Sequence, residues 1–416
     1  MAATAAGAAG AAIAPIDRDE LTALTIALVN AGGENPGGTE QATAEVLVAE
    51  ARRRGLEAST REVEPGRPNV FITLPGGDGE GVLFLGHSDV VPVGEGWDRE
   101  PFDAHVADGR LFGRGATDMK GGLAAVLTAM ASLHDAGARL SGPVTLACTV
   151  DEEETGAGIR AVVAGGLDHR YSACVVAEPT DLETVIACRG DSYLEIEVTG
   201  RAAHSGRPSD GRNAIDAAVR ICNLITADQE RLSAEPDPLL GHATWNTGMI
   251  SGGRGTSMVA PDAHLWLDRR LMPGEDTERI REDLLERIKE AGIVGDGITV
   301  SARTTMEMPG FRTEPDHPLV AAATASLAAA GVETRVTGWT ASCDGGFISR
   351  DFGIPTIVLG PGELNDQAHQ PNESVRLSEI EAATRAYAML VTTLLGPDGG
   401  ASRSARQDPL PEGERS

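Results

Sequence analysis

Apolar positions recur three and four residues apart over residues 17–29, break at a Gly and Pro-rich stretch, 32–38, and resume over 39–54, which predicts two helices joined by a loop. Beyond them the period changes. Short, nearly continuous apolar runs at 70–74, 82–85, 144–150 and 174–177 predict buried strands, with a long helical stretch at 121–133 among them. Buried strands alternating with amphipathic helices imply an α/β sheet with helices on its faces. From about Gly190 the texture shifts to strand-like alternation at 193–199, a helix at 213–225, a second strand-like run at 263–268, a helix at 277–291 and a closing strand at 298–303. Two helices with about four strands predict a small α+β domain inserted into the larger one. The α/β pattern then returns with a helix at 319–330, a strand at 356–359 and a last helix at 377–395.

Length and charge narrow this picture. A chain of 416 residues exceeds what one hydrophobic core organises, so two domains are expected. Acidic residues outnumber basic ones by 62 to 35, so the formal charge is 35 − 62 = −27. Such a surface repels phosphate backbones and anionic lipid, which argues against nucleic acid and membrane partners. The five cysteines are scattered, odd in number and mostly set among apolar residues, as expected of reduced core residues in a cytoplasmic protein. Residues 1–14 have no basic region and no strong apolar core, and with the Gly, Ser, Arg and Pro-rich residues 397–416 they are read as flexible tails. No segment reaches the roughly 18 uncharged apolar residues of a membrane helix.

The candidate chemistry lies at strand ends. Gly86-His87-Ser88-Asp89 follows the run at 82–85, Asp151-Glu152-Glu153-Glu154-Thr155-Gly156 follows 144–150, and Glu178 follows 174–177. Gly113-Arg114-Gly115-Ala116-Thr117-Asp118 opens the helix at 121–133, and Ala368-His369-Gln370-Pro371-Asn372-Glu373 comes soon after the strand at 356–359. Singly, each has an ordinary account: a hydrogen-bonded histidine, an N-cap aspartate, a solvated acidic loop. Together they repeat one event, in which a strand or helix end delivers His, Asp or Glu, the ligand types of a carboxylate-rich two-metal site. Four consecutive carboxylates at a strand end repel one another unless cations or solvent compensate, and divalent metal would do so.

On these motifs, in this order and over residues 13–395, the chain resembles the zinc-dependent peptidases and deacylases that include acetylornithine deacetylase, succinyl-diaminopimelate desuccinylase, aminoacylase and carboxypeptidase G. The resemblance implies a metallopeptidase-type α/β catalytic domain with a central mixed sheet flanked by helices, formed by residues 15–188 and 306–396. An inserted α+β, ferredoxin-like lid and dimerisation domain would span 189–305. It also implies two divalent ions, zinc foremost with cobalt as the alternative, with His87 and Glu178 on one, Glu153 and His369 on the other, and Asp118 bridging them. Asp89 would orient His87, and Glu152 would be the general base. A one-residue shift, with Glu153 as base and Glu154 as ligand, is the alternative register.

In the inserted segment, Ala203-His204-Ser205-Gly206 resembles the family histidine that crosses a dimer interface to hold the scissile carbonyl. Asn246 and Arg270 fall in segments similar to those bearing substrate-binding residues, and Arg270 suits bidentate capture of a carboxylate. An ordinary capping or surface role is the alternative for Asn246. Family members often show Asn-Val-Val-Pro where this chain has Ser257-Met258-Val259-Ala260-Pro261.

The implied activity is hydrolysis of the amide bond of N-acyl amino acids by a homodimer. A dipeptidase or carboxypeptidase with the same centre is the runner-up, and a non-catalytic binding protein a third reading. Clues to the substrate diverge: the segment around Gly360-Pro361-Gly362 and His369 is similar to acetylornithine deacetylases, whereas Ser342-Cys343-Asp344-Gly345 is nearer the desuccinylases.

Overall fold

The computed structural model describes residues 13–397 and divides into two units. The first comprises residues up to Ile186, Thr313–Val336 and the residues from Asp351 on; the second comprises Ala187–Arg312 and Thr337–Arg350. The expected insertion ended at 305 and took in no later residues. Thr337–Arg350 groups with the second unit because its backbone packs there: Gly346 lies against Pro309, and Gly338 against Leu239. Most of the tails expected at 1–14 and 397–416 lies outside the described residues, but Ala14 is tied by its N–H and carbonyl to Ser132.

The first unit is built on a mixed sheet. Its strands run in the order Glu57–Glu64, Arg67–Leu74, Val144–Thr149, Gly81–His87, Tyr171–Val176, Thr356–Val358, with Thr184–Cys188 beyond. Four consecutive strands, from Val144–Thr149 to Thr356–Val358, are parallel, and the others are antiparallel to their neighbours. The register sets His87 opposite Thr149 and Leu85 opposite Val176, so the parallel strands end level with one another. Loops leaving their carboxyl ends therefore gather at one edge, where ligands of α/β sheets bind.

The Gly81–His87 strand is wholly buried, and so are residues 121–133 of the helix Gly121–Asp135. Close packing at the centre requires glycine: a Cβ on Gly122 would lie 2.0 Å from the Ala177 carbonyl oxygen. The terminal helix Leu377–Leu395 adds Tyr387, whose ring meets Phe84 edge-on at 5.1 Å and whose hydroxyl donates to the Leu359 carbonyl at 2.6 Å.

The second unit has a four-stranded antiparallel sheet in the order Thr244–Gly252, Asp262–Leu271, Gly190–Thr199, Thr299–Met308. With the helices Ala214–Leu232 and Thr277–Glu290, the chain order is β-α-β-β-α-β, a ferredoxin-like arrangement. Alternate residues Leu194, Ile196 and Val198 meet Ile221, Leu284 and Ile288 of the helices in one core. Among the described residues, no helix is long and apolar enough to cross a membrane.

Candidate metal centre

Seven of the sequence-predicted residues converge at the carboxyl edge of the parallel strands. His87 ends its strand, and its Nε2 lies 3.1 Å from Asp118 Oδ1 and 3.3 Å from Glu178 Oε1. Across the same carboxylate, His369 Nε2 lies 3.3 Å from Asp118 Oδ2 and 3.2 Å from Glu153 Oε2. Asp118 thus presents one oxygen to each of two imidazole–glutamate pairs. These separations match the roughly 3.3 Å edge of a tetrahedron with bonds of about 2.0–2.1 Å. Glu153 Oε1 is buried without a hydrogen-bond partner, so the pocket holds ligand capacity that protein atoms leave unused. The donor set fits two divalent cations: imidazoles and carboxylates at tetrahedral spacing, with a carboxylate between.

The Glu152 carboxylate can lie within 4.8 Å of donor atoms of His87 and Glu178, whereas Glu154 is exposed. Asp89 meets His87 through its backbone and its side chain. His87 Nδ1 faces the Asp89 backbone carbonyl at 2.9 Å, with the nearer carboxylate oxygen at 3.5 Å. The Asp89 carboxylate also accepts the N–H groups of Glu152 and Glu153, both at 3.2 Å. His369 sits at φ 64°, a left-handed conformation costly for a side chain with Cβ, as often found where a site fixes a residue.

Burial and mutual charge set the protonation of the metal-free site. Hydrogen bonds to Asp118 and Glu153 push His369 up to about 10. Burial alone would lower His87, but the Glu178 charge and hydrogen bonds to Asp118 and Asp89 hold it well above its usual value. Burial raises Glu178 to about 8 despite the opposing His87, and burial with the Asp118 charge raises Glu153. Burial would raise Asp118 too, but hydrogen bonds from His369 and His87 hold it below the usual carboxylate range. Without metal, the imidazoles are the cations of the site.

Several supporting residues carried no role in the sequence. Glu373 is buried, and its carboxylate accepts the N–H groups of Gly115, Thr117 and Asp118 at 2.9–3.0 Å and the Arg114 guanidinium at 2.8 Å, fixing the loop that bears Asp118. Asp151 accepts the N–H groups of Thr155 and Ala157 at 3.2 Å and pairs with Arg67 at 3.0 Å, which closes the acidic loop on itself. Both acids stood inside quoted motifs. The distant partners, Arg67 for Asp151 and Arg114 with the Asp118 loop for Glu373, are named by no local pattern.

His204, Asn246 and Arg270 belong to the second unit. His204 is exposed, and its Nδ1 accepts the Gly206 N–H at 2.9 Å. Asn246 is exposed opposite Asp268 in the strand register. The Arg270 fork is engaged by Asp268 through two 3.1 Å bonds and by Asp191 at 3.2 Å.

Comparison with known proteins points the same way. A sequence model of the peptidase family M20/M25/M40 matches residues 83–393. The chain is 34% identical over 321 residues to the acetylornithine deacetylase of Yersinia pseudotuberculosis, a match covering 76% of this chain and 79% of that protein. In fold it is similar to an M20 family metallo-carboxypeptidase from Sulfolobus solfataricus, with a TM-score of 0.75 and 21% identity, over 90% of this chain and 99% of the other. It is likewise similar to a dinuclear metal-binding peptidase from Bacillus subtilis, with a TM-score of 0.71 and 18% identity, over 91% and 98% of the two chains.

The protonation pattern predicts a pH dependence. His369 is raised from 6.5 to about 10 and Glu178 from 4.5 to about 8, so the folded metal-free protein holds protons that the unfolded chain releases. Their stabilising contributions are fully present below the unfolded values and are lost as pH rises through about 8 and then about 10. Chelator-treated protein is therefore expected to melt at progressively lower temperature from pH 6 to pH 10, and metal uptake to release protons, read by calorimetry in buffers of different ionisation enthalpy. A melting temperature that stays flat or rises over that range, or uptake without proton release, contradicts this assignment.

Proposed function

The chain belongs to the peptidase family M20/M25/M40, and on that premise we propose that it hydrolyses the amide bond of an N-acyl amino acid, as an acetylornithine deacetylase-like deacylase using two divalent metal ions. The observation that carries the proposal is the Asp118 carboxylate, turned with one oxygen toward His87 and the other toward His369. His87, Asp118 and Glu178 would hold one ion, and Glu153, Asp118 and His369 the other. Zinc is the first candidate and cobalt the alternative, since both suit imidazole with carboxylate. Bound there, such ions would bring the pKa of water toward neutrality and polarise the substrate carbonyl.

The chain's own residues supply the rest. Glu152 takes the proton from the attacking water and returns it to the amine nitrogen as the C–N bond breaks. Its backbone is pinned through the Asp89 carboxylate, which favours one fixed position for the base. For His204, the Gly206 N–H occupies Nδ1, so the neutral ring carries its proton on Nε2 and can donate to a carbonyl oxygen. Arg270 is oriented by Asp191 and Asp268 on the sheet face it shares with Asn246, and N–H donors on its terminal nitrogens remain for a substrate carboxylate.

A homodimer is part of the proposal. The strand Thr244–Gly252 is the edge of its sheet and exposes Met249 and Ile250, and the neighbouring helix exposes Ile215 and Val219. An unpaired apolar edge of this kind suits pairing with a second copy. All five cysteines are free, in keeping with a cytoplasmic location.

Assay of zinc- and cobalt-loaded protein against N-acetylornithine, N-succinyl-diaminopimelate and a dipeptide panel tests the substrate class. Preference for the N-acetyl substrate is expected, and turnover confined to dipeptides would move the enzyme to the peptidases. Glu152→Gln is expected to keep both metals and the fold while lowering turnover by about 100- to 10,000-fold. Near-normal turnover with both metals bound would remove Glu152 from the role of base.

If His204 of one subunit serves the site of the other, mixing inactive Glu152→Ala and His204→Ala subunits should restore activity, because a heterodimer has one site with both residues intact. One positioned donor to the carbonyl oxygen contributes about 3 kcal/mol to lowering the barrier, so the recovery is measurable. No recovery after subunit exchange verified by mass, or full activity in a demonstrated monomer, sinks the shared site.

A further inference from the structure

Beside the metal ligands, a fully packed side chain outside every motif joins two of the acids. Asn35 is 4% exposed, and its Nδ2 donates to Asp89 Oδ2 and to Asp151 Oδ1, each at 2.9 Å. Those two carboxylates govern the loop that follows the strand Val144–Thr149. Asp89 receives the N–H groups of Glu152 and Glu153, and Asp151 receives those of Thr155 and Ala157. Asp151 stands at φ 66°, a conformation that outside contacts must maintain.

Two like charges converging on one nitrogen repel, the more so out of water. Arg67 reaches Asp151 but also pairs with Glu40. The Asn35 amide offers both of its hydrogens to this pair, so it both separates the charges and fixes their spacing. Its own position is fixed from two sides. Its N–H donates to the Val90 carbonyl, and the Val90 N–H returns to Gly33, both at 2.9 Å. The buried Lys120 ammonium holds the preceding turn through the carbonyls of Leu28 and Gly32 and the Thr43 hydroxyl.

We propose that Asn35 is a positioning residue for the acidic loop, a strut between Asp89 and Asp151 that sets where Glu152 and Glu153 stand. The inference rests on the two-metal reading of the site. The loop carries the base and only one metal's glutamate, while His87 and Glu178 come from other strand ends, so the strut acts unequally on the two ions. Its loss weakens the ion on Glu153 and His369 and slows proton transfer, while the ion on His87 and Glu178 stays.

The test is titration of metal-free wild type, Asn35→Ala and Asn35→Ser with Zn²⁺ against a competing chelator, and with Co²⁺ followed by its visible absorption. Thermal melting of the metal-free proteins and kcat and KM of the loaded ones accompany it. Wild type is expected to bind two ions. Asn35→Ala is expected to lose about 10- to 100-fold affinity for one of them, with kcat reduced and KM little changed. Asn35→Ser, which keeps a single donor, is expected to fall between, and it carries the comparison should the alanine variant not fold. Unchanged affinities in a wild type that binds two ions overturn the strut alone, as does equal weakening of both ions in step with a lower melting temperature, the mark of a merely structural role. A wild type that binds fewer than two ions overturns the two-metal reading and the strut with it.

Discussion

Six carboxylates, those of Asp89, Asp118, Asp151, Glu153, Glu178 and Glu373, are drawn out of solvent at one edge of one sheet, and the site depends on how their mutual repulsion is met. Burying an unpaired charge costs several kcal/mol even after relaxation, so each needs a partner. Three are met by the protein itself. Asp89 has two backbone N–H groups and Asn35, Asp151 has Arg67, Asn35 and its own loop, and Glu373 has three backbone N–H groups and Arg114. The side chains of the other three, Asp118, Glu153 and Glu178, face the two imidazoles. This division separates acids held by the protein's own donors from the three proposed as metal ligands.

The same division explains what could be read from the chain. Of the ligand candidates, His87, Glu153 and Glu178 were legible because each follows an apolar run, and runs of buried parallel strands stand out: 82–85 and 144–150 became Gly81–His87 and Val144–Thr149. Their convergence needed only that the strands be parallel and end level. The protein-held acids were not legible in role, because Arg114 and Glu373 are 259 residues apart and Asn35 meets Asp151 across 116. Nothing in a local window marks such a pair. The strand Glu57–Glu64 escaped for a different reason: it is an edge strand with half-exposed polar residues, so burial never wrote an apolar run into it.

In the second unit the alternating pattern located both helices and three of the four strands but not the exposed edge strand Thr244–Gly252, and the register explains Arg270. It shares a sheet face with Asp191 and Asp268, which hold the guanidinium where a free side chain would wander. Burial, with Asp268 beside it, keeps Asp191 high, at about 6, in spite of Arg270. Preorganised donors lose less on binding than flexible ones, which suits a residue assigned to a substrate carboxylate.

The central claim is that Asp118 is shared by two ions while the neighbouring acids are already satisfied. Diffraction from zinc-loaded crystals, measured on both sides of the zinc absorption edge, tests it most directly. The account predicts two anomalous peaks about 3.5–4 Å apart, each about 2.0–2.2 Å from a different Asp118 oxygen. One peak, or two with Asp118 bonded to a single ion, would contradict it.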